Sequence, residues 1–201
     1  EGGVVAKVVA GPVGLSGEHQ TLNAAVALAT LEKAWNRFPE LHLPVLQAGI
    51  AGTQWEGRLQ VLQAGADRPT VLVDCAHNDD SAAKLVAALQ QDYDYRRLIL
   101  LFGAPEDKNV RGMLARLLPL ADDVIFTTAN HPRSAAPEQL AQMAVDLGHT
   151  ATVTDSIAAG LEAALAAAGP GDLICATGSI IVIGDLLNYW DSLKSGSTPY
   201  G

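Results

Sequence analysis

Residues 70–91 read TVLVDCAHNDDSAAKLVAALQQ, and the fold follows from how that stretch changes character. Four apolar or β-branched residues run without alternation to Asp74, and a polar turn then opens an apolar period typical of a helix. A strand that is apolar on both faces must be covered on both sides, as parallel strands between helices are. The same unit recurs downstream. LILLFGA (98–104), VIFTT (124–128) and LICATG (173–178) are further short apolar runs. Between and after them lie the helical periods VRGMLARLL (110–118), PEQLAQMAVDL (137–147), SIAAGLEAALAAA (156–168) and IIVIGDLLNYW (180–190). With the shorter runs LQVLQ (59–63) and ATVT (151–154), this predicts an open, Rossmann-like α/β sheet of about six mostly parallel strands, with helices on both faces. Ligands of such sheets sit at the carboxyl ends of the strands. The residues to interrogate are therefore Asp74 to Asn78, Pro105 to Lys108, Asn130 to Arg133, and Thr177 to Ser179. Asn78 is expected to cap the helix that follows, with Asp79 and Asp80 favouring its positive end.

Working outward, the first 57 residues have a different texture. A β-like run, Val4 to Ala10, leads through glycines into one long helical pattern whose apolar stripe is Leu22, Val26, Ala29 and Leu31 to Ala34. Ser16 is the expected N-cap, with Glu18 in the first turn. A second short helix is expected at about Pro44 to Ala51, and the polar segment Thr53 to Arg58 marks a domain boundary, giving domains 1–57 and 58–201. The tail from Ser195 is expected to fray.

The chain is 49% hydrophobic and only 17% charged over 201 residues, enough to bury a sizeable core. A net charge of −9 argues against a sequence-independent nucleic-acid binder, which needs a basic face. Cys75 and Cys175 end apolar runs and form no metal-ligand spacing, which suits buried thiols in a reducing, cytoplasmic compartment. No apolar stretch reaches the roughly 18 residues of a membrane span. No G-x-G-x-x-G follows a strand, so a dinucleotide site is disfavoured, and no G-x-x-x-x-G-K-[ST] occurs; Gly11 to Gly17 imitates a phosphate-binding loop without its Lys.

Several segments together resemble the folylpolyglutamate synthase / dihydrofolate synthase branch of the Mur ligase superfamily. GEHQTLNAAVALATLE, with His19 and Asn23 four apart on one helix face, is similar to the helix that ends the central ATPase domain and supplies an Asn to the nucleotide. WEGRLQ resembles the interdomain hinge whose Arg, here Arg58, reaches the ATP phosphates. DCAHN resembles the D-x-A-H-N segment, which places Asp74 with the nucleotide and His77 with the amino-acid substrate. FGAPEDKN is similar to F-G-x-x-x-D-K-D, with Asn109 in place of the second acid and Lys108 as a candidate cation. NHPR resembles the N-P-R loop, with Arg133 for the carboxylates of the incoming amino acid. ATGSIIVIGD matches T-G-S-x-x-x-x-G-E/D, with Ser179 on the substrate side.

The resemblance implies the Mur ligase C-terminal domain fold, preceded by the end of the central ATPase domain. It implies an ATP- and Mg²⁺-dependent ligase that adds L-glutamate to a folate or dihydropteroate carboxylate through an acyl phosphate. Arg58 and Lys108 would be catalytic. Asn23, Arg58 and Asp74 would bind the nucleotide, and His77, Arg133 and Ser179 the substrate. No metal ligand is assigned, since the phosphate-binding loop and Mg²⁺ site are expected upstream. A monomer is expected, without nucleic-acid or membrane partners, and the 201 residues alone are expected to be inactive. Another Mur-type peptide ligase and a non-catalytic nucleotide-binding module are the alternatives.

Overall fold

The structure, a computed structural model, describes residues 13–34, 37–38, 40 and 42–195. The run Val4 to Ala10 and the tail beyond Ser195 lie outside the described residues. The chain divides into two compact units, Glu1–Arg58 and Leu59–Gly201.

In the first unit, helix α1 (Glu18–Ala34) starts directly after Gly17, whose φ is 95°. Ser16 therefore lies one residue before the cap position expected for it. The buried face of α1 carries Gln20, Ala24 and Leu28, while Leu22 and Val26 are exposed. The stripe read from the sequence is thus corrected. Residues 22 and 26 also repeat every four, so the helical period admits either face, and packing selects the one through 20, 24 and 28. Helix α2 (Leu43–Ala51) has proline in its first turn and is closed by the Gly52 N–H donating to Ala48.

The second unit carries strands β1 (Gln60–Gln63), β2 (Thr70–Val73), β3 (Leu98–Phe102), β4 (Asp123–Phe126), β5 (Thr152–Val153) and β6 (Leu173–Thr177). They form one sheet in the order β1-β2-β6-β3-β4-β5, antiparallel at the β1–β2 edge and parallel elsewhere. Helices α3 (Asp79–Gln91), α4 (Val110–Leu117), α5 (Pro137–Asp146), α6 (Ile157–Ala167) and α7 (Ile180–Ser195) cover it.

The all-apolar strands explain the layering. Alternate residues point to opposite faces. Leu72, Leu98, Leu100, Phe102, Val124 and Phe126 pack with α3, α4 and α5 in one core; Val71, Val73, Ile99, Leu101, Ile125 and Ile174 pack with α6 and α7 in the other. The residues of both cores are buried, and Phe102 meets Phe126 edge to face at 6.1 Å. Both cysteines are free and buried, and burial pushes the Cys175 thiol up. Among the described residues no helix is long and apolar enough to cross a membrane.

At the amino end of the sheet, Asp172 is buried just before β6. Its carboxylate accepts from the Gly169 N–H at 2.9 Å and from Arg96 and Arg97 at 3.0 Å each. Chiefly the Gly169 N–H, and then the two guanidinium groups, hold its pKa down to about 2 against the opposing effect of burial. A carboxyl whose folded pKa is depressed stabilises the fold above its unfolded value and loses that contribution as pH falls through the folded value. Asp172→Asn should therefore lower stability near neutrality by about 2 kcal/mol. The gap to wild type should close between about pH 4 and pH 2, as urea unfolding of both proteins across that range will test.

Candidate functional site

Parallel pairing brings the ends of β2, β6, β3 and β4 to one edge of the sheet in that order. The loop after β2 is fixed by main-chain bonds. Asp74 N–H donates to Ala176 at 3.0 Å, and the buried Asp74 carboxylate accepts from the main-chain N–H of Ala76 at 2.9 Å and of Leu59 at 3.0 Å. His77 Nδ1 lies 3.0 Å from the carbonyl oxygen of Cys75. A carbonyl can only accept, so Nδ1 carries a hydrogen, and Nε2 meets a carboxylate only when the ring is charged. The His77 N–H rests on Ser81 Oγ. Asn78 caps α3 through a capping box with Ser81, as its position in the sequence indicates.

Gly103 and Gly178 let the ends of β3 and β6 approach. Gly178 has φ 115°, and a Cβ there would stand 2.4 Å from the Gly103 carbonyl oxygen. The positive φ and this close approach together account for the glycine of the T-G-S segment. Ser179 is buried, and its Oγ accepts from the Ile181 N–H, capping α7.

The loops after β3 and β4 are stitched together. Pro105 bridges Ser134, Glu106 N–H donates to Arg133 O at 2.9 Å, and Ala135 N–H donates to Ala104 O at 2.9 Å. Lys108 is exposed, 3.7 Å from Asp107, and Asn109 caps α4. Arg133 is exposed, and its main-chain N–H donates to His131 Nδ1. Two cations thus stand on loops joined by their main chains.

Beside them opens a cleft of about 720 Å³ lined by Thr128, Asn130, His131, Asp155, Asp185 and Tyr189 among others. The Tyr189 hydroxyl donates to Glu162 of α6. Sequence reasoning gave Asp155, Asp185 and Tyr189 no role. Asp155 lies in the turn between β5 and α6, while Asp185 and Tyr189 are both on α7, inside a run that the sequence marks as a helical period.

Asn23 and Arg58 belong to the first unit. Asn23 donates to Gln20, which in turn meets His19, so these three form one polar string along α1. Arg58 is half-buried. Among the described residues no group of three or more His, Cys, Asp or Glu stands close enough to hold a metal ion.

A mostly parallel sheet with helices on both faces places this unit in the doubly wound α/β class. Residues 57–180 match the family model for the Mur ligase, glutamate ligase domain, and the chain belongs to that family. Among its relatives, the chain is 30% identical over 174 residues to the dihydrofolate synthase/folylpolyglutamate synthase of Escherichia coli, covering 87% of this chain and 39% of that one. It is 31% identical over 177 residues to a probable bifunctional folylpolyglutamate synthase/dihydropteroate synthase of Haloferax volcanii, covering 88% and 20%. In structure it is similar to Mycobacterium tuberculosis folylpolyglutamate synthase complexed with ADP, with a TM-score of 0.77, 29% identity, and 89% of this chain and 41% of that chain covered. The chain thus spans 20–41% of the length of these three proteins.

Proposed function

We propose that this chain supplies the adenine side, the hinge Arg and the amino-acid side of an ATP-dependent ligase that joins L-glutamate to a folate or dihydropteroate carboxylate. The observation that carries the reading is that the matched family segment, 57–180, contains the loops that parallel pairing gathers at one sheet edge, with Lys108 and Arg133 on the stitched pair. In the reaction proposed, a substrate carboxylate oxygen takes the γ-phosphoryl group of ATP and ADP leaves. The glutamate amine then attacks the acyl phosphate, losing a proton as phosphate departs. Such chemistry depends on positioning and charge neutralisation. Asn23 and Arg58 serve the nucleotide, Lys108 neutralises the transferring group, and His77 and Arg133 receive the glutamate carboxylates. Ser179 contributes through the turn that it caps.

No phosphate-binding loop of the G-x-x-x-x-G-K-[ST] kind lies within the 201 residues, so on this reading that loop and the Mg²⁺ it works with are supplied from outside them. The purified 201-residue chain should then release no ADP with dihydropteroate and glutamate, whereas the full-length ligase should do so only when both are present. Turnover by the chain alone, or a full-length protein indifferent to glutamate, overturns the reading.

His77 gives the sharper test of the substrate side. At the positive end of α3, its ring in charged form can meet a carboxylate. In the full-length ligase His77→Ala should raise KM for glutamate about ten-fold or more, the loss of one charge-assisted hydrogen bond. KM for ATP should stay close to wild type. A shift confined to ATP moves the glutamate pocket to Lys108 and Arg133.

A further inference from the structure

Leu59 has φ 43°, the one positive value at a non-glycine position among the described residues. A left-handed backbone is strained for an L-residue with a Cβ, and such a conformation persists only where the surroundings over-determine it. Three contacts do so here. The side chain is buried in the core with Leu72 and Leu89. The main-chain N–H donates to Asp74 Oδ2 at 3.0 Å, and the main-chain carbonyl accepts from Tyr93 Oη at 3.5 Å.

The partners are themselves immobilised. Asp74 is held by its own N–H to β6, and its second oxygen takes the Ala76 N–H. Tyr93 follows α3, and burial, reinforced by the nearby carboxylates of Asp92 and Asp74, pushes its hydroxyl up to about 12. It therefore remains a donor throughout the neutral range. Leu59 is the first residue of the second unit, and Arg58 is bonded directly to it.

We propose that Asp74 and Tyr93 are positioning residues that clamp Leu59 in the left-handed conformation and so fix the direction in which the chain leaves this unit through Arg58. The backbone clamp stands on the geometry of the second unit. Its consequence for turnover rests on the ligase reading of Arg58. On this view the buried carboxylate after β2 acts through the main chain at the unit boundary.

The clamp can be read in the 201-residue chain by NMR, without any enzyme assay. In wild type, Leu59 should give the strong intraresidue HN–Hα NOE of a positive φ and a slowly exchanging amide. Asp74→Asn keeps the shape but offers one oxygen to two N–H donors. It should weaken that NOE and speed Leu59 amide exchange about ten-fold or more, with the methyl signals of Leu72 and Leu89 unmoved. Tyr93→Phe, which keeps the ring in place, should act in the same direction and keeps the test decisive if Asp74→Asn fails to fold. Retention of the NOE and of slow exchange in Tyr93→Phe and in any folded Asp74→Asn overturns the clamp.

The functional arm uses the full-length ligase. Tyr93→Phe should lower kcat while KM for ATP stays within about two-fold, and the Tyr93→Phe/Arg58→Ala double variant should lose no more than Arg58→Ala alone. A raised KM for ATP with kcat retained, or losses that multiply, overturns the route through Arg58. If Arg58→Ala has no effect, the ligase reading of Arg58 fails, while the clamp is still decided by its own spectra.

Discussion

Replacing Arg58 with alanine in the full-length ligase should lower kcat/KM by about 10²–10³, close to 3–4 kcal/mol of transition-state stabilisation. The size follows from the task proposed for it. A guanidinium presents a fork of donors that matches two phosphate oxygens, and its charge is worth most as negative charge spreads over a transferring phosphoryl group. Thermal stability should barely move. Among the described residues the Arg58 side chain forms no hydrogen bond or ion pair that its loss would break. Steady-state kinetics and a melting curve on the same preparation check both halves. Retained activity with a lowered melting temperature would make Arg58 a structural residue.

Gly178→Ala carries the largest expected effect on stability, about 3 kcal/mol or more, or roughly a 6–12 °C lower melting temperature for a chain of this size. Two independent costs meet at this position. Its φ of 115° lies where side chains are strained, and the added Cβ would stand 2.4 Å from the Gly103 carbonyl oxygen and 2.9 Å from the Phe102 ring. Neither neighbour can retreat, since Gly103 is bonded to Thr177 and Phe102 is wholly buried. Gly184→Ala is the control. It lies inside α7 with nothing within 4 Å of the new Cβ, so it should stabilise the chain by about 0.5–1 kcal/mol through helix propensity. Chemical unfolding of the two variants should therefore move in opposite directions. Equal shifts would mean that the close approach of β3 and β6 is not the reason for glycine at 178.

The architecture of residues 59–195 was legible because its signals are local. Strand runs such as LILLF announce burial on both faces, and Asn78 stands where a helix cap is needed. The segments that carry the family resemblance are local too, and the match over 57–180 agrees with them. Less of the candidate site could be read. The sequence put Asp74, Lys108 and Arg133 after strands; it held no trace of the main-chain stitch between the Lys108 and Arg133 loops. Nor did it place Asp155, Asp185 and Tyr189 around one cleft.

By itself, then, the sequence determined the class of sheet, the strands and helices of its second unit, the caps at Asn78 and the buried thiols. Each depends on residues within a turn or two of one another. Tertiary structure alone decided which face of α1 is buried, since the spacings 20-24-28 and 22-26 are both helical and only packing separates them. It also decided the partners of Asp172, which lie 75 and 76 residues away in Arg97 and Arg96. Asp74 meets Leu59 across 15 residues in the same way. Such contacts are set by the order β1-β2-β6-β3-β4-β5, in which β6 is inserted between β2 and β3. A local pattern of apolar residues carries no record of which strand will be its neighbour, because burial rewards any apolar partner and only the packed sheet selects one.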